Sequence, residues 1–113
     1  MTKTQDRYTY RVQWDEENGK FAATVAEMPS FSWIASTPEG ALRGLRMIVD
    51  EAIDDMEERG EALPVPIMER HYSGHFTLRL TPEEHRMLAL EAAEQGVSVN
   101  KLAESRVLAR IGS

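Results

Sequence analysis

Apolar and polar residues alternate near the start of the chain. Tyr8, Tyr10, Val12 and Trp14 share one face, and Thr9, Arg11 and Gln13 share the other, the period-two pattern of a half-buried strand. Asp15-Glu16-Glu17-Asn18-Gly19-Lys20 is polar and contains Asn-Gly, a strong hairpin signal. Phe21 to Ala26 reads as the returning strand, Met28-Pro29-Ser30 breaks it, and Phe31 to Ala35 is a third apolar run. Three strands with short connections predict an antiparallel meander. Thr37-Pro38-Glu39 then opens a helix, with Thr as N-cap, Pro in the first turn and Glu at the positive end of the dipole. Leu42, Leu45, Ile48, Val49, Ala52, Ile53 and Met56 form its apolar stripe, and Gly60 supplies the stop. One amphipathic helix laid on a small sheet predicts an α+β unit.

Leu63-Pro64-Val65-Pro66 cannot continue the helix and reads as an edge strand or the start of a linker. Residues 1–68 are assigned to a first domain, 69–74 to a linker and 75–113 to a second domain. The second domain follows a different plan. His75 to Leu80 alternates, apolar at even positions and polar at odd ones, before Thr81-Pro82-Glu83-Glu84 sets a capping box and starts a helix. That helix runs through Met87, Leu88, Leu90 and Ala92 to Gly96. Ser98 caps another, whose Val99, Leu102, Ala103, Val107, Leu108 and Ile111 predict a buried stripe. A strand and two short helices hold too little core to fold well alone. The physical solution is dimerisation, with Phe76, Leu78 and Leu80 in the core of a ribbon paired from two chains.

Composition narrows the function classes. The 113 residues are 42% hydrophobic and 28% charged, which fits a folded protein and argues against full disorder. No apolar run approaches the roughly 20 residues of a bilayer span. The N-terminus is polar, without the apolar core of a secretory signal, so the cytoplasm is the expected address. The chain has no cysteine, which excludes disulfides and thiol catalysis. The net charge of −6 lies wholly within residues 1–70, because residues 71–113 balance. An acidic first domain favours basic partners, although solvated surface charge explains such a face equally well.

The run Phe76-Thr77-Leu78-Arg79-Leu80, the helix start after it, and Glu94-Gln95-Gly96-Val97-Ser98-Val99-Asn100 resemble a ribbon–helix–helix DNA-binding domain of the Arc and MetJ type. The resemblance implies that two chains place an antiparallel two-stranded ribbon in the major groove of double-stranded operator DNA. Alternation then assigns base reading to His75, Thr77 and Arg79. Arg79 is the guanine reader by its fork geometry, and His75 departs from the residues often found at that position. Ser98, Val99, Asn100 and Lys101, at the start of the last helix, correspond to the phosphate clamp of similar domains, and Arg106 adds charge.

The first domain has its own resemblance. Tyr10-Arg11-Val12, Gly19-Lys20-Phe21, Glu27-Met28-Pro29, Thr37-Pro38-Glu39-Gly40-Ala41-Leu42 and Gly60-Glu61-Ala62-Leu63-Pro64, with the linker Tyr72-Ser73-Gly74-His75-Phe76, look like the HicB antitoxin family. That resemblance implies a partial RNase H-like fold that binds and blocks a small basic ribonuclease, HicA. Asp50, Asp54, Asp55, Glu57 and Glu58 on the long helix are one candidate toxin-facing surface, and the sheet edge is the other. The family reading is a type II antitoxin that also represses its operon, as a homodimer or a tetramer, without cofactor, metal or membrane. The competing reading is a stand-alone repressor whose first domain serves assembly or another ligand.

A nuclease reading fares worse. RNase H chemistry gathers several carboxylates on two divalent metals, whereas Asp15, Glu16 and Glu17 fall in a turn and Glu27 sits beside a proline break. That spacing does not put acids on the middle of adjacent core strands, and the turn acids read as turn chemistry and solubility, not a metal site. His71 and His75 have a helical i, i+4 spacing but flank Ser-Gly, which opposes a helix. No catalytic residues are expected.

Overall fold

The computed structural model describes residues 2–111, except for the side chain of Arg110. The chain divides into two compact units, Met1–Ser73 and Gly74–Ser113. In the N-terminal unit a short 3-10 turn, Thr4–Arg7, precedes strands β1 (Tyr10–Asp15), β2 (Lys20–Val25) and β3 (Ser32–Ala35), followed by helix α1 (Pro38–Glu58). The strands form an antiparallel meander in the order β1-β2-β3, with Val12 opposite Ala23 and Ala23 opposite Trp33. The hairpin forms where Asn-Gly predicts it. Asp15 accepts from the Glu17 amide at 3.1 Å and from Asn18 Nδ2 at 2.6 Å.

Helix α1 starts as its sequence dictates, with Thr37 Oγ1 accepting from the Gly40 amide at 3.0 Å. Its buried face is Ala41, Gly44, Leu45, Val49 and Ile53, packed on Ala23 and Val25 of the sheet. Leu45, Ile53, Val25 and Val49 are the largest fully buried side chains, each stabilising by roughly 1.5–3 kcal/mol relative to exposure. The stripe is rotated from the predicted one: Leu42 is exposed, while Ala41 and Gly44 are inside. The cause is a close approach of helix to sheet. A Cβ on Gly44 would come within 2.1 Å of Trp33 Nε1, so small residues occupy the contact line. Trp14 also departs from expectation. It is exposed near the end of β1 and meets Phe21 edge-on at 5.2 Å between ring centroids. Residues 61–66 are irregular, and a 3-10 turn, Ile67–Glu69, follows them. Tyr10 lies on the inner side of β1, with the Arg46 guanidinium 5.3 Å from its ring centroid and its hydroxyl donating to the Gln5 carbonyl at 2.7 Å.

The C-terminal unit comprises helices α2 (Pro82–Gln95) and α3 (Val99–Ile111). The capping box forms in full: Glu84 Oε1 accepts from the Thr81 amide at 2.8 Å, and Thr81 Oγ1 accepts from the Glu84 amide at 3.1 Å. Helix α2 ends on Gly96 in the left-handed region, φ +68, which a residue with a Cβ adopts only with strain. Among the described apolar residues of this unit, Ala92 and Leu102 are buried. The predicted buried stripe of α3 is half open to solvent in the single chain: Leu102 is buried and Val99 and Ala103 are half-buried, while Val107, Leu108 and Ile111 are exposed.

Candidate nucleic-acid interface and partner surface

The segment expected to read DNA belongs to no strand, for residues 75–80 form no ladder within the chain. A strand needs a neighbour, and the sequence offers none nearby. Phe76, Leu78 and Leu80, expected in a ribbon core, are 77%, 60% and 40% exposed. They line an open groove together with Leu88 of α2 and Val107 and Leu108 of α3. His75 and Arg79 also border this groove, so in one chain residues from both sides of the alternation meet the same opening. Thr77 is exposed.

At the start of α3 the four residues expected to hold phosphate divide into two pairs. Ser98 Oγ accepts from the Lys101 amide at 3.0 Å, and the Ser98 carbonyl accepts from the Leu102 amide at 3.0 Å. The serine is therefore a helix cap, and the Lys101 amide is already occupied. The amides of Val99 and Asn100 have no acceptor among the described residues, and they are the donors left at the positive end of the dipole. The Lys101 ammonium lies 3.9 Å from Glu104 on the exposed surface. Arg106 is engaged elsewhere than expected: its guanidinium bonds Glu91, tying α3 to α2. No sequence signal marks that pair, because it depends on how the helices cross.

The acidic face of α1 is less uniform than its sequence. Asp50 accepts from Gln5 Nε2 at 3.1 Å and lies 3.7 Å from Arg46. Asp55 pairs with Arg59 at 3.2 Å. Asp54, Glu57 and Glu58 are exposed and make no ion pair among the described residues. Both outer strands of the sheet, β1 and β3, offer edges, and β3 exposes Trp33 and Ile34.

Glu27 has a structural role that its place beside a proline break did not suggest. It is buried, with Oε1 accepting from the Thr9 amide at 2.8 Å and Oε2 accepting from the Thr9 hydroxyl at 3.2 Å and the Ile67 amide at 2.9 Å. Burial pushes its carboxyl up, but the bonds from Ile67 and Thr9 outweigh this and hold it below the ordinary carboxylate value. Sequence reasoning missed it because its donors lie 18 and 40 residues away. His71 and His75 lie outside any helix. No group of three or more metal-ligating side chains occurs among the described residues, and no helix of the described residues is long and apolar enough to cross a membrane.

Comparison with known proteins adds one finding. The model of the HicB family matches residues 58–107, from the last turn of α1 through most of α3. Neither a curated protein nor a solved structure matches the chain. The match takes in the Gly60–Pro64 exit and the Tyr72–Phe76 linker, and leaves the sheet outside. Over that stretch, which is less than half of the chain, the sequence is similar to the HicB family.

Proposed function

We propose that this chain is the antitoxin of a type II toxin–antitoxin system and has no catalytic activity of its own. The N-terminal unit neutralises a basic, HicA-like mRNA ribonuclease. The C-terminal unit pairs with a second copy through residues 75–80 and represses the operon through the major groove, with His75, Thr77 and Arg79 toward the bases. The amides of Val99 and Asn100 hold a phosphate. The observation that carries this reading is the HicB match over residues 58–107, which overlaps most of a unit whose apolar groove stands open in the single chain. The acidity of residues 1–70 suits a partner that grips RNA. The deciding experiment is co-expression with the product of a short basic reading frame beside the gene. Restored growth with the full chain is expected, and continued toxicity despite soluble antitoxin overturns the assignment.

A second reading has its own support, because the family match leaves residues 1–57 outside. On that reading the chain is a stand-alone ribbon–helix–helix repressor whose N-terminal unit serves assembly or another ligand. A neighbouring locus without a toxic product, combined with retained operator binding, selects it.

A further inference from the structure

The segment that leaves α1 returns across the N-terminal unit without joining the sheet. Between Glu61 and Glu69 its one regular element is the 3-10 turn Ile67–Glu69, yet Pro66 is buried and Leu63, Pro64 and Ile67 are half-buried. No ladder holds it, so side chains must. Tyr8 Oη donates to the Pro64 carbonyl at 2.8 Å. The Arg7 guanidinium pairs with Glu69 at 2.6 Å, but both side chains are solvent-exposed, where such pairs contribute little. Glu27 differs from both. It is the buried carboxylate of the unit, and a buried charge is costly unless its bonds are made. Its bonds join two separate segments, Thr9 ahead of β1 and Ile67 of the returning chain. Charge-assisted bonds of this kind are roughly twice as strong as neutral ones.

We propose that residues 61–69 form a strap fastened by the Glu27 carboxylate, and that opening this latch lengthens the tether that leaves the N-terminal unit. With the strap fastened, the N-terminal unit extends to Ser73, and the Arg70 and Tyr72 side chains donate to the Val65 and Ile67 carbonyls. With it open, residues 61–69 join the tether and, at about 3.3 Å each when extended, add reach on the order of 30 Å. Tether length sets the effective concentration at which sites on the two units meet, so the latch controls coupling between them, and its opening exposes Leu63 and Pro66 while the sheet and α1 remain. The inference is independent of the antitoxin reading, since it concerns how the chain leaves its first unit.

Hydrogen exchange on the full chain tests it, with Glu27→Gln, Glu27→Ala and Tyr8→Phe as variants. In Glu27→Ala the Ile67 amide should exchange roughly ten- to a hundredfold faster, the range expected for loss of a hydrogen bond to a charged group, and trypsin should cut after Arg70 sooner. Glu27→Gln keeps the side-chain shape and one acceptor, and should give a smaller effect at the same amide. Tyr8→Phe should loosen residues 63–66 from the other end, leaving Glu27 in place. Small-angle scattering should show a longer maximum dimension for Glu27→Ala. The amides of β1 and β2 are the control. If they stay protected while Ile67 exchange and Arg70 cleavage are unchanged in every variant, there is no latch. If they lose protection in step with Ile67, Glu27 belongs to the cooperative core, and the strap is overturned as a separate element.

Discussion

The two units contrast in what they do with similar apolar patterns. In the N-terminal unit α1 finds a sheet to cover, and Leu45, Val49 and Ile53 disappear from solvent. In the C-terminal unit α2 and α3 pack on each other and bury Ala92 and Leu102, while Leu90, Leu108 and Ile111 on the helices and Leu78 ahead of them stay exposed. The first is a finished core and the second resembles a core cut in half. An exposed apolar face of that kind marks an interaction surface. An amphipathic period announces that a face will be buried, and says nothing about whether the covering surface lies in the same chain.

The sharpest way to break this contrast is dilution. On the proposed ribbon, full chain diluted to nanomolar concentration should lose the helical signal of α2 and α3 while the sheet persists, and Leu78→Asp should do the same at any concentration. Circular dichroism together with sedimentation equilibrium reads both, and a stable folded monomer of the second unit ends the comparison. Next in size is a pair of truncations. Leu45→Ala should lower stability by about 2–5 kcal/mol at every protein concentration, as expected for a buried leucine. Leu108→Ala should act only on the concentration-dependent transition. Denaturant melts at two concentrations separate these behaviours.

A smaller effect tests local encoding in the second unit. Thr81→Ala removes the acceptor for the Glu84 amide and should cost about 1 kcal/mol, typical of a lost N-cap, measured as a fall in the midpoint of the second unit's transition. The smallest is confined to alkali and belongs to the first unit. Burial pushes the Tyr10 phenol up to about 12, with Arg46 beside it opposing and Asp50, Asp6 and Tyr8 reinforcing the rise. A group raised in the folded state stabilises fully below its unfolded value, ordinarily near 10, and that contribution is lost as pH rises toward about 12. Tyr10→Phe should flatten this part of the pH–stability curve, and an unchanged alkaline slope refutes the assignment.

The elements are largely legible in the sequence. The Asn-Gly turn, the Thr37 and Thr81 caps and the Gly96 stop depend on interactions within about four residues, and the meander follows from period-two alternation joined by short turns, which a sequence displays directly. Candidate chemistry is legible in part. The positions of Ser98, Val99 and Asn100 at the mouth of α3 follow from capping, but the use of the Ser98 hydroxyl and Lys101 amide for that cap narrows the free donors to Val99 and Asn100. The pairing of Arg106 with Glu91 and of Asp50 with Gln5 leaves no trace in the sequence, because those partners meet only once the elements have packed, whereas Arg46 and Asp50 face each other one helical turn apart.

By itself, then, the amino-acid sequence determined most of the strands and helices, where they stop, and that residues 1–70 carry the whole net charge. Those properties come from periodicity, capping and composition, all of which are local or additive. Tertiary structure alone decided that Glu27 is a buried clasp between Thr9 and Ile67, that Gly44 lies against Trp33, and that Leu42 is left outside the core. The reason is distance along the chain. Burial and long-range hydrogen bonds depend on which surfaces arrive at the same place, and residues 18 or 40 positions apart carry no pattern that records their meeting.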